Sequence, residues 1–319
     1  MATWTWRASG VVVGLLVASL ALGCGTRKRS DAPSTRPLGP PLFDGRKGGG
    51  SFPLDTTNPV NSVEALRVAM EAGYHKRLQG PTTQSSAVTV ATRGNDELRS
   101  VAVQVSGWRV RTEFKPSQLD SKAVQERVIR AGDVSYVAEP LKYEKGELSL
   151  RLDAKDAVLH VLKDKSGQRG LVLAGAKQGE LHFHAPMKEL RHVFSAGVRK
   201  GAGGGGIMVS SVTIDLVSDH PRRLDGTITV KGSWLLLPLS ITVSGSMEVD
   251  DTMHANFSRL GATGTGPAGD LIAPFVDRTL QKVDGRRSPL MVFRDGKTKA
   301  VDFSVYTGET FDLRIKFGQ

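Results

Sequence analysis

Eleven consecutive residues, Leu239 to Val249, alternate between two kinds of side chain. Leu239, Ile241, Val243, Gly245, Met247 and Val249 fall on one side; Ser240, Thr242, Ser244, Ser246 and Glu248 fall on the other. A period of two is the spacing of a β-strand with one apolar face and one wet face. It commits this part of the chain to a sheet. The stretches "SSVTIDLVS", "DGTITVKGSW" and "MHANFSRLGATG" surround it at short intervals. Such short connections suit antiparallel pairing, because a parallel crossover needs a dozen residues or more.

Other segments read as a mixture. "SSAVTVATRGNDELRSVAVQVSGWRVRTEF" predicts a hairpin with its turn at "RGND". "SPLMVF", "AVDFSVYTG" and "TFDLRIKFGQ" predict closing strands. Helical spacing appears in "NSVEALRVAMEAGYHKRLQ", with Asn61 as cap and Glu64 three residues on, and ends at Gly80-Pro81. It appears again in "GDLIAPFVDRTLQKVDG", where Ile272, Val276, Leu280 and Val283 share a side. In "GELSLRLDAKDAVLHVLKD" a strand at Leu148 to Leu152 predicts a following short helix through Ala154, Ala157, Val158, Val161 and Leu162. Residues from Lys122 to Arg130 predict another short helix. Leu150, Leu152, Ala154 and Leu159 echo Leu181, Phe183, Ala185 and Leu190 at an offset of 31 residues. Antiparallel strands with a few helices make the expected class α+β.

Composition limits what can hold such a fold together. The chain has one cysteine, Cys24, so no disulfide forms within it and the core carries the stability. Arg7 is the only charge before Arg27, and Gly10 to Gly23 is uncharged and mostly Val, Leu and Ala. That run is shorter than the roughly 20 apolar residues of a membrane span. It reads as a secretory signal, residues 1 to 23. Leu20, Ala21, Leu22 and Gly23 before Cys24 resemble the lipobox of bacterial lipoproteins. The resemblance implies cleavage before Cys24, acylation of that residue, and a lipid anchor in a bacterial membrane. With Gly25 rather than an acidic residue following, the outer membrane is the expected site in a two-membraned cell. Residues 24 to 59 are rich in Pro, Gly, Ser and charge and predict a disordered tether, with one domain over 60 to 319.

The net charge is +11, and loss of Arg7 with the signal brings it to about +10. For an exported protein this favours anionic lipid or wall polymer over nucleic acid as partner. No constellation points to catalysis. There is no G-x-S-x-G elbow and no H-E-x-x-H. "GTGPAGD" fits G-x-G-x-x-G at Gly264, Gly266 and Gly269, but without a βαβ unit it predicts a turn and helix cap. Gly203 to Gly206 lacks a following Lys-Ser or Lys-Thr and predicts a flexible loop. His182 and His184 share one side of a strand and His192 follows; without an evident carboxylate they predict solvated histidines rather than a metal site. The expectation is a protein without cofactor, metal or enzyme activity.

"GSWLLLPLS" departs from the pattern of polar turns. Trp234, Leu235, Leu236 and Leu237 stand between two strands where turn residues belong. Such a turn folds onto the core or meets lipid, and Trp favours membrane interfaces.

The order of elements in "LSLRLDAKDAVLHVL", the strands after it, "DLIAPFVDRTLQKV" and "LMVFRDGKTKAVDFSV" resembles the LmeA-like phospholipid-binding proteins, relatives of tubular lipid-binding domains. The resemblance covers about residues 85 to 319. It implies a long curved antiparallel sheet wrapped around one or two amphipathic helices, with an apolar groove for acyl chains. Transferred to this chain, Ile241, Val243, Met247, Ile272, Val276 and Leu280 would line the groove. The functional expectation is an anchored envelope lipoprotein that binds or shuttles phospholipid. The alternative is a structural or assembly lipoprotein that grips a protein or anionic wall polymer by its basic surface.

Overall fold

The computed structural model describes residues 52–81, 86–93, 97–111, 123–143, 146–202, 207–251, 253–289 and 293–319. Cys24, the signal, most of the tether and the quadruple glycine lie outside them. The packed chain begins before residue 60. Phe52 and Leu54 are buried, and the Phe52 N–H donates to the Leu171 carbonyl at 3.1 Å. These two apolar residues find a place on the core that a polar tether would leave vacant. Arg169, itself buried, holds the segment from behind: it donates to the Thr57 carbonyl and forms two bonds of 2.5 and 2.6 Å with the Glu126 carboxylate.

Helix α1 (Val63–Arg77) leads into β1 (Leu78–Gln79), β2 (Val88–Thr92), β3 (Glu97–Gln104) and β4 (Arg109–Val110). The cap of α1 is Ser62 rather than Asn61: its hydroxyl accepts from the Ala65 N–H at 3.1 Å. Three long strands follow, β5 (Val124–Tyr143), β6 (Gly146–Lys163) and β7 (Arg169–Pro186), then helix α2 (Met187–Ala202). The second half carries β8 (Ile207–His220), β9 (Arg223–Trp234), β10 (Leu237–Val249), β11 (His254–Thr265), helix α3 (Pro267–Gln281), β12 (Arg287–Pro289), β13 (Lys299–Thr307) and β14 (Thr310–Gly318). Strand predominates over these three helices, compatible with the α+β class.

The strands form two sheets. The larger runs β1-β4-β5-β6-β7-β14-β13, with β3 also pairing β5 and carrying β2; the smaller runs β12-β11-β10-β9-β8. Pairing is antiparallel except that β3 and β4 run parallel to β5. β5, β6 and β7 hold 20, 18 and 18 residues, against a usual strand of about five or six. At about 3.3 Å per residue they reach roughly 60 Å. β8 and β13 join the sheets, with Ser218 Oγ donating to the Val305 carbonyl at 3.0 Å and the Val305 N–H donating to the Pro221 carbonyl at 3.1 Å.

Both short helices predicted near the middle are strand. Val124 to Arg130 belongs to β5, and the residues around Ala154 to Leu162 belong to β6. The second error has a visible cause. Asp156 adopts φ 47°, and the buried set steps from Leu152 and Ala154 to Ala157, Leu159 and Val161. One irregular residue turns a spacing of two into a spacing of three, which imitates a helix. The predicted echo therefore stops early: Leu150 lies opposite Phe183 and Leu152 opposite Leu181, but Leu159 is in a strand and Leu190 in a helix.

In the smaller sheet the alternation at 239–249 does what its period implies, interrupted by a bulge between Ser244 and Ser246. Leu239, Ile241 and Val243 are buried, while Ser240, Thr242 and Ser244 face outward. α3 covers the apolar face of β10 and β11 with Ala268, Ala273, Val276 and Leu280. The glycines of "GTGPAGD" permit this approach. Gly266 caps the helix at φ 85°, and a Cβ on Gly264 would fall 2.1 Å from the Gly269 carbonyl oxygen. α2 packs against β6, β7 and β14 of the larger sheet and against β8 of the smaller.

Because Gly264 meets backbone rather than a flexible side chain, Gly264→Ala should destabilise the fold by about 1–3 kcal/mol, as overpacking does. A urea unfolding midpoint equal to that of the unaltered protein would show that α3 is not seated this closely.

Candidate functional site

The turn between β9 and β10 has two residues. Trp234 pairs with Leu237, so Leu235 and Leu236 alone make the reversal. Right-handed strand twist favours turns in which both central residues have positive φ, which suits Asn-Gly. Here leucine fills both places, at φ 48° and 69°. The left-handed conformation costs an ordinary residue about 1–2 kcal/mol. Packing does not offset this cost, because Leu235 is 70% and Leu236 85% exposed. Leu237 and Met208 are also exposed; Met208, on β8, lies opposite Ser233 of β9. Trp234 is half-buried against the core at the base of the turn.

Further apolar surface lies on α3. Leu271 and Phe275, one helical turn apart, are 58% and 64% exposed. The helix starts beside the tip strand, since a Cβ on Gly266 would lie 2.9 Å from the Pro238 carbonyl oxygen. Sequence reasoning missed Met208, Leu271 and Phe275. The signal for the pair on α3 was their own four-residue spacing, one position ahead of Ile272 and Val276 on the helix wheel. Lys231, exposed, lies three residues before Trp234 on β9; at about 3.3 Å per residue its Cα is roughly 10 Å behind that of Trp234.

The six residues assigned to an acyl groove come together in a different way. Ile241, Val243, Met247, Val276 and Leu280 are buried, and Ile272 packs against the same core. They are joined by α3 lying on the sheet, so an acyl chain touching them all would have to displace that helix. The opposite face of the sheet carries a cleft of about 310 Å³ bounded by Asp215, Asp225, Ser246 and Arg259. Arg259 donates to the Asp225 carboxylate at 2.7 Å, and the Ser246 hydroxyl donates to the same carboxylate. This cleft is polar and internally ion-paired, and none of the six residues lines it.

The histidines found on β7 do acquire a carboxylate. Asp312 on β14 lies opposite His184. Its Oδ2 is 2.7 Å from His182 Nε2 and 3.3 Å from His184 Nδ1, and Arg314 Nε donates to its Oδ1 at 3.1 Å. Burial raises the pKa of Asp312, but the hydrogen bond and charge of His182, with Arg314 and His184, outweigh it and hold the carboxyl below its ordinary range. His192, on exposed α2 surface, is not part of this group.

No helix among the described residues is long and apolar enough to cross a membrane. No protein-family model, curated protein or solved structure matches the chain. The tip, the buried layer under α3 and the histidine–aspartate group therefore stand on their own chemistry.

The turn itself is open to a direct check. Replacing Leu235 by Asn and Leu236 by Gly relieves both left-handed leucines and should raise unfolding stability by about 2 kcal/mol. An unchanged or lower midpoint in urea would mean that the leucines pack on the protein.

Proposed function

We propose that this is an exported, non-enzymatic lipoprotein, anchored through Cys24, whose folded domain engages phospholipid at a membrane surface. The observation that carries the reading is the Leu235-Leu236 turn, exposed and held in a backbone conformation that leucine disfavours. Strained residues of this kind persist where function needs them. A soluble face would favour Asn-Gly at the same position. An acyl environment favours leucine, at about 1.5–3 kcal/mol for each side chain removed from water.

The surroundings are consistent with lipid. Trp234 stands at the base of the tip, where an indole meets the headgroup boundary. Interfacial segments sink about 5–10 Å into that boundary, which leaves Lys231 at the height of anionic headgroups. The net charge, +11 for the whole chain less the one arginine lost with the signal, adds a general attraction to such a surface. A long sheet enclosing helices, as in the LmeA-like proteins, belongs to the same reading, with the lipid-facing surface at the tip. Under this reading Ile241, Val243, Met247, Ile272, Val276 and Leu280 contact an acyl chain only after α3 moves. The tether then serves to let the tip reach the bilayer.

The test uses the chain from Gly25, which carries no lipid of its own. It should sediment with vesicles containing phosphatidylglycerol. Leu235→Asn with Leu236→Gly should weaken this by at least tenfold in partition constant while leaving the protein folded. Vesicle binding that survives in the double variant and disappears in 0.5 M salt, on the order of a 4 Å Debye length, would favour the alternative of a protein that grips polyanions by charge alone.

A further inference from the structure

β7 and β14 bring three metal-binding side chains onto one patch of the larger sheet. His182 and His184 project from the same face of β7, two residues apart. Asp312 meets them from the neighbouring strand, at the position opposite His184. Both imidazoles point a nitrogen at a single carboxylate oxygen, at 2.7 and 3.3 Å. The three donor atoms lie within 4.8 Å of one another.

The geometry points to a binding site for one first-row divalent transition metal ion, Zn²⁺ being the reference case, held by His182 Nε2, His184 Nδ1 and Asp312 Oδ2. Zinc bonds of about 2.0–2.1 Å in a tetrahedron set ligand atoms about 3.3 Å apart. Two edges of the present triangle already measure 2.7 and 3.3 Å. Ring rotations bring the nitrogens to the ion, and the backbone stays put because all three residues sit in paired strands. The ion takes the place of the imidazole N–H protons, so each metallated nitrogen is unprotonated and the carboxylate is ionised.

The ligand set decides the class of ion. Two imidazoles and one carboxylate without thiolate suit Zn²⁺, Co²⁺, Ni²⁺ or Cu²⁺, and suit Mg²⁺ and Ca²⁺ poorly. The site opens outward: the side chains of His182 and His184 keep 28% and 39% of their exposure, while Asp312 keeps 15%. Three protein ligands leave the fourth position to water or to an anionic group from outside. Arg314 helps and opposes. Its bond to Asp312 Oδ1 fixes the carboxylate with Oδ2 turned to the histidines, but its charge repels the ion. Arg151, opposite His182 on β6, is engaged by Asp153 at 2.6 Å. This site lies on the larger sheet, away from the Leu235-Leu236 turn of the smaller one, and does not rest on the lipid reading.

Calorimetric titration of ZnCl₂ into the untagged chain from Gly25, with MgCl₂ as control, tests it. The expected result is one Zn²⁺ per chain, no heat from Mg²⁺, and at least a tenfold loss of affinity in His182→Ala and in Asp312→Ala. Absence of Zn²⁺ binding, or binding equally strong in both variants, overturns the assignment and marks the uptake as adventitious. Cobalt gives a second reading on the unaltered protein. One equivalent of Co²⁺ should develop the intense visible absorption of a four-coordinate ion; the pale spectrum of a six-coordinate ion overturns the site even if a variant fails to fold.

Discussion

The packing of α2 between strands of both sheets is the contact on which the rest of the architecture depends. Leu190, Val193 and Phe194 are fully buried, and the helix touches β6, β7 and β14 as well as β8. A one-sided sheet must cover its apolar face, and neither sheet can do so alone. α2 and α3 together cover the smaller sheet, α2 beside β8 and α3 over β10 and β11. The close seat of α2 is visible at Gly146, where a Cβ would fall 2.8 Å from a Val193 methyl. With the core sealed this way, polar faces are left outward on both sheets, and it is there that the histidines, the ion-paired cleft and the charged residues lie.

Much of this was legible in the sequence, and the failures are local. Alternation from Leu239 to Val249 marked the strand, and "GTGPAGD" read as a helix cap because no βαβ unit surrounded it, although Gly264 and Thr265, expected in a turn, end β11 instead. β6 was misread where Asp156 breaks the alternation, since a backbone irregularity leaves no mark on composition. Phe52 and Leu54 were absorbed into the tether because their neighbours are Pro, Ser and Asp; two anchoring side chains do not change an average. The apolar turn was visible as an anomaly, but its left-handed backbone was not. Asp312 was invisible as a partner of His182, being 130 residues away. Only the register of β7 against β14 brings them together.

The apolar turn and the buried layer under α3 make different demands on lipid. Reaching the layer means lifting α3 from β10 and β11 and exposing Ala268, Ala273, Val276 and Leu280. With Val276 and Leu280 as the large side chains, at about 1.5–3 kcal/mol each, that opening costs about 3–6 kcal/mol before the facing sheet residues are counted, a sizeable part of an ordinary domain's stability of about 5–15 kcal/mol. Lipid could offset it only by filling the whole space at once. The turn asks for no such rearrangement. Its two leucines already stand in water, and their strain of about 2–4 kcal/mol together is present whether or not a membrane is near. Inserting them gains about 3–6 kcal/mol against nothing that must first be broken. Under the proposed lipid function, contact at the tip would come first on energetic grounds, and entry of an acyl chain beneath α3 would follow only once the tip held the domain at the surface.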